Sequence, residues 1–192
     1  ILQTGQVAGL AAAMAAEQNI SPKKLNVRVL QNELLKFNGY LLPFIDTKPD
    51  SPHFMAMQKI GATGILRGKG VPYQWANQTW FYPDTFLLTS QVVQQIKDFD
   101  SNLNFSPTTE QLSIADALQI VWEWKKQLPK TDPLSDQKTF FEQLKQQWTQ
   151  DWKLTNFDSQ RLITKREFAV LLDRVVDPFR LKNVNLQGEL IQ

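Results

Sequence analysis

Residues 10–16 read Leu-Ala-Ala-Ala-Met-Ala-Ala. Alanine is the best helix former. Entered through Thr4-Gly5-Gln6-Val7-Ala8-Gly9, the run predicts a helix over about residues 5–18. That helix is small and apolar on nearly every side, and helices of this kind are normally buried and closely packed. Val7–Ala16 is the one long apolar stretch, and its ten residues fall short of the ~20 needed to span a bilayer. It also lacks the basic flank and cleavage context of a signal peptide. No transmembrane segment is expected.

Asn19-Ile20-Ser21-Pro22 ends the first helix. Ser21 can cap a second, with Pro22 at the first helical position, where its missing N–H costs nothing. Leu25, Val27, Leu30, Leu34 and Leu35 carry helical spacing to Lys36, and Asn38-Gly39 stops it. The segment from Asp46 to Pro52 reads as a linker and is the expected internal boundary. Beyond it Phe54, Met57 and Ile60 form a stripe that Gly61 closes. Gly61, Gly64, Gly68 and Gly70 then punctuate a loop running to Trp75.

The remainder carries a weak internal repeat. Phe81, Phe105 and Phe157 each stand seven or eight residues before a Thr or Ser that opens a helix: Thr89, Ser113 and Thr164. Ser113 with Asp116, and Thr164 with Glu167, have capping-box spacing, in which each side chain satisfies the other residue's free backbone N–H. Core stripes follow at Leu118, Val121 and Trp122, and at Phe168, Leu171, Leu172 and Val175. A further helix over about 136–152 places Phe140, Phe141, Leu144 and Trp148 on one face. Strand signals are poor and the tail after Pro178 reads as irregular, so the expected class is mainly α.

Several chemistries are excluded by composition. There is no Cys, which removes disulfides, thiolate zinc sites and cysteine nucleophiles. The single His, His53, rules out a multi-His metal site within one chain and leaves one place for a histidine base. Packing or capping is the simpler role for it. A net charge of +2 is too balanced for nucleic-acid binding by counterion release. Asp98-Phe99-Asp100-Ser101-Asn102 begins like a calcium loop, but Leu103 stands at the sixth position and Thr109 at the twelfth, so a helix-ending turn is expected. No metal site and no catalytic residue is assigned. Trp122, Trp124, Trp148 and Trp152 fall in helices, whereas Trp75 and Trp80 flank a loop and suit an exposed aromatic platform.

Two resemblances add to this reading. Gly5-Gln6-Val7-Ala8-Gly9 with the Ala-rich helix, Ser21-Pro22, and Leu30-Gln31-Asn32-Glu33-Leu34-Leu35 resembles the C-terminal part of bacterial FAD-dependent oxidoreductases, over about residues 1–45. The family implies a helix start facing the flavin, with Thr4, Gly5, Gln6 and Gly9 as cofactor-binding candidates. Val7 stands where the family usually has Ala. The G-x-G-x-x-G fingerprint that binds most of a dinucleotide is absent. FAD is therefore expected in the parent protein and not in this chain alone. The chain opens on Ile1 without Met, and is expected to be a piece of something longer or a processed chain.

The second resemblance covers about residues 52–175. Pro52–Ile60, Gly64-Ile65-Leu66-Arg67-Gly68, Phe81-Tyr82-Pro83-Asp84 and Ile163-Thr164-Lys165-Arg166-Glu167-Phe168 are similar to S-layer homology repeats. Those modules bind anionic cell-wall polysaccharide, which implies Arg67, Trp75, Trp80 and Arg166 as glycan-binding candidates. Only the third copy keeps a basic residue beside the acid. A helical module kept for structure is therefore the expected outcome, with glycan binding as the alternative.

Together these readings divide the chain into residues 1–45 as flavin-proximal helices, 52–180 as an S-layer-homology-like helical module, and 181–192 as an irregular tail. The expected partner is the flavin-binding part of the same parent chain, with cell-wall polysaccharide as the rival and no nucleic acid. The sequence leaves the location open, with an extracytoplasmic or periplasmic one slightly favoured over the cytoplasm.

Overall fold

The computed structural model describes residues 2–103, 105, 109–128 and 136–191. The chain is mainly α, with eight helices and two short antiparallel ribbons among the described residues. Helix α1 (Leu2–Glu17) covers the alanine run and packs on α2 (Val27–Lys36). Met14, Ala15 and Leu25 form their small core, with Leu10, Ala11, Ile20 and Leu30 around it. Ser21-Pro22 opens only a single 3-10 turn, Pro22–Lys24. The cap of α2 is Asn26, whose side chain accepts from the Val29 N–H.

The expectation that α1 is buried on most sides is not met. Met14 and Ala15 are its buried residues, while Thr4, Gly5, Ala8, Gly9, Ala12, Ala13 and Ala16 are exposed. One apolar flank is covered by α2 and its connection; the rest is bare.

Helix α3 (Phe54–Ala62) packs on α7 (Lys165–Val175) at the centre of the main core. Between α3 and α4 (Thr89–Phe99), a hairpin replaces the expected loop: β1 (Lys69–Tyr73) pairs antiparallel with β2 (Ala76–Trp80), from Lys69↔Trp80 to Tyr73↔Ala76. Gly70 and Pro72 hide this strand in the sequence. Pro72 is tolerated because β1 is an edge strand, whereas β2 is also bridged on its other side by Phe44. Helices α5 (Ile114–Gln127) and α6 (Gln137–Gln150) add Trp124 and Trp148, both buried. Trp122 and Trp152 are buried as well.

The expected boundary at Asp46–Pro52 is stitched into the main body. Phe44 belongs to the main core. Both Asp46 oxygens accept backbone N–H groups, from Phe81 at 2.8 Å and Tyr82 at 2.6 Å. Gln58 is fully buried and holds the preceding loop: its Oε1 accepts from the Leu41 and Leu42 N–H groups, each at 2.8 Å, and its Nε2 donates to the Leu42 carbonyl and the Thr47 hydroxyl.

Three helix starts meet in a closed cycle. Leu88 bridges Gln111, Ser113 bridges Leu162, and Thr164 bridges Phe86. Leu88, Ser113 and Thr164 are the N-caps of α4, α5 and α7, and each pairs with the residue two before another cap. The hydrogen bonds keep the same offsets: the N–H groups of Thr89, Ile114 and Lys165 donate to the carbonyls of Glu110, Arg161 and Thr85. Ser113 and Thr164 form full capping boxes with Asp116 and Glu167. Thr89, expected to open α4, is instead its first helical residue, and the cap is Leu88.

The tail is not irregular. Asp177, at φ +51°, turns the chain into α8 (Pro178–Leu181), and β3 (Asn183–Val184) pairs with β4 (Leu190–Ile191). Asn26 Nδ2 donates to Asn183 Oδ1 at 3.0 Å, tying this ribbon to the start of α2.

Candidate functional site

Thr4, Gly5, Gln6 and Gly9 all lie inside α1, which begins at Leu2. The first-turn N–H groups have no partner within the helix. From Leu2 to Ala16 the helix carries no charged residue. A solvent-facing helix surface normally carries them. Gly5 and Gly9 are one turn apart and so share a face. A Cβ built on either would meet nothing within 4 Å. Glycine in a helix interior costs about 1 kcal/mol against alanine, and what it provides is close approach to the backbone. No described residue makes that approach. Gln6 differs from the other three candidates: it is half-buried, and its Nε2 donates to the Phe37 carbonyl at 3.1 Å, past the end of α2.

The four glycan candidates do not form one platform. Trp75 is 93% exposed in the turn of the β1–β2 hairpin. Trp80 ends β2, about 16 Å of strand away. It is half-buried and stacks on Tyr82, with centroids 5.7 Å apart and planes at 18°. Tyr82 holds φ +57°, fixed by the Asp46 carboxylate on its N–H. Arg67 turns to Asp98 at 2.7 Å and to the Gly64 carbonyl. The Gln94 amide and then Arg67 hold the Asp98 carboxyl below its usual range.

Arg166 does approach Trp80 and Tyr82 along the chain: its N–H donates to the Pro83 carbonyl at 2.8 Å, and its guanidinium pairs with Asp84 at 2.8 Å. Its neighbour Lys165 donates to the Arg67 carbonyl at 2.6 Å and lies 4.4 Å over the Phe81 ring. Burial pulls the Lys165 ammonium down to about 8, against the attraction of Asp46.

His53 is buried at the start of α3, and its Nε2 lies 2.7 Å from the Trp152 carbonyl, so that nitrogen carries the proton. Among the described residues no nucleophile or carboxylate hydrogen-bonds its ring; the Ser51 hydroxyl accepts only from its backbone N–H, at 3.3 Å. Asp100 accepts from Asn102, closing a turn after α4. Among the described residues no group of three or more His, Asp or Glu can hold a metal ion. Among them, also, no helix is long and apolar enough to cross a membrane.

Three polar residues of consequence escape the sequence reading: Arg28, Gln58 and Lys165. Arg28 stands two turns before buried Leu35 and therefore on the core face of α2, a spacing legible in the sequence. No family model, no curated protein and no solved structure matches this chain.

Proposed function

We propose that this chain is the C-terminal helical part of an FAD-dependent oxidoreductase, in which α1 docks against a flavin-binding body and helps cover the cofactor. One observation carries the reading: α1 is mostly apolar, uncharged up to Ala16 and largely bare, with Gly5 and Gly9 opening on empty space. An apolar helix with glycines that its own chain does not require fits a surface meant to meet something flat and close. In the parent the flavin supplies the redox chemistry. The contribution of this chain is shape: backbone N–H groups at a helix start and a small-residue face that excludes water. The residues from α3 onward serve as a structural module. No catalytic acid, base or nucleophile is assigned within them.

The test is the absorbance of two purified proteins, the 192-residue chain and the larger parent protein that this reading proposes. The account expects flavin in the longer protein and none retained by the chain after incubation with FAD and gel filtration. Stoichiometric flavin on the chain alone, or none on either, contradicts it.

A second reading is a polysaccharide-binding module of S-layer homology type. The cyclic bridging of the α4, α5 and α7 starts supports the repeat, and the Trp80–Tyr82 stack, followed by the Pro83 carbonyl that the Arg166 N–H meets, supports a sugar platform. Against it, Arg166 is already paired with Asp84, and Ser90 and Ala115 stand at the positions matching Arg166 in the other two copies. Salt-sensitive retention on purified cell-wall glycan, abolished by Arg166→Ala, supports this reading; no retention rejects it.

A further inference from the structure

Arg28 is 5% exposed, and its donors are accounted for except at one nitrogen. Nε donates to the Lys182 carbonyl at 3.2 Å and Nη1 to Gln31 Oε1 at 2.9 Å. The guanidinium lies 4.3 Å over the Phe179 ring. Nη2 is buried with no partner among the described residues. Arg28 also forms no ion pair among them. Burial lowers the guanidinium to about 10, so it remains charged at neutral pH. A buried cation with neither a counter-charge nor a full set of acceptors is costly, and native structures normally satisfy such groups with water or a ligand.

Beside it, a pocket of about 390 Å³ is lined by Arg28, Asn32, Lys36, Phe179, Arg180 and Asn183, among others. Three cations line it against one carboxylate, Glu33. Lys36 is bound to Glu33 and Arg180 to Asp177, so Arg28 alone lacks an acid. The Asn32 amide makes no hydrogen bond among the described residues. Asn183 uses only its oxygen, leaving its NH₂ to donate. A second hollow also touches Arg28, but its other lining residues, including Leu42, Thr63 and Val184, carry no charge.

We propose that the pocket between α2 and α8 binds a small phosphate-bearing anion, with Arg28 as its uncompensated charge, the Asn32 and Asn183 amides as donors, and Lys36 and Arg180 supplying field. With Lys36 and Arg180 already paired, one positive charge is left over, and a phosphate monoanion matches it. An anion seated there answers the uncompensated charge of Arg28, whose Nη2 is itself closed to solvent.

The test is an NMR titration of the ¹⁵N-labelled chain with inorganic phosphate, with sodium chloride at equal ionic strength as reference. Saturable shifts at residues 26–33 and 179–183 are expected, together with a thermal midpoint that rises with phosphate and not with chloride. Arg28→Met keeps the apolar stack on Phe179 and is expected to weaken binding about tenfold or more. If that variant does not fold, Asn183→Ala at the exposed rim is read instead, with a several-fold loss expected. Shifts that never saturate, shifts centred on Gly61–Gly64, or a phosphate response unchanged in both variants overturns the proposal.

Discussion

Gly5 and Gly9 cost helix stability that no contact among the described residues offsets. Gly5→Ala and Gly9→Ala should each stabilise the isolated chain by up to about 1 kcal/mol, read as a higher urea midpoint with unchanged slope. A drop would reveal a contact requiring glycine. Lys165 makes a pH prediction. Its folded value, about 8, lies below the ordinary 10.5. Between those values the unfolded chain binds more protons than the folded one, so Lys165 should make stability rise across that window. Below about 8 its penalty is full and constant. Comparing urea midpoints of the wild type and Lys165→Met from pH 7.5 to 10 isolates the effect; a pH-independent difference contradicts it. Neither role was legible in the sequence. Glycines in an alanine helix look like packing glycines until their surroundings are seen, and Lys165 is buried by Phe81 and the Arg67 carbonyl, which lie far away in the chain.

The helix starts were the most legible elements because capping is local. Ser113–Asp116 and Thr164–Glu167 read correctly from a three-residue spacing. Ser113→Ala and Thr164→Ala should each cost about 1 kcal/mol, within the 0.5–2 range for lost N-caps, measured by thermal unfolding; an unchanged midpoint would show that the cycle of bridges, and not the caps, fixes these starts. Leu88 was missed as the third cap because its side chain cannot cap, and its place is set by the pairing with Gln111. Gln58 was missed for a related reason. It sits on an apolar face of α3 and looks like an intrusion, yet its amide satisfies two N–H groups of the loop after α2. Gln58→Leu leaves both buried donors unmet and should destabilise the chain by about 2–5 kcal/mol, with proteolysis beginning in residues 39–47. A variant as stable as the wild type would show that water takes over the role.

At the scale of the whole molecule, class and core were legible and connectivity was not. Helical stripes at Phe54–Ile60, Leu118–Trp122 and Phe168–Val175 declare a mainly α chain. That Asp46 belongs to the main body, that residues 183–191 pair as a ribbon, and that three helix starts close a cycle all depend on backbone partners distant in sequence. The bare flank of α1 is the feature this assembly leaves without a partner, and the proposed docking onto a flavin-binding body rests on it. The most direct measurement is the flavin-to-protein ratio of the proposed parent protein, unchanged and with Gly9→Leu. The account predicts a ratio near one for the unchanged protein and loss of most of the flavin in the variant. Equal flavin content in the two proteins would contradict it.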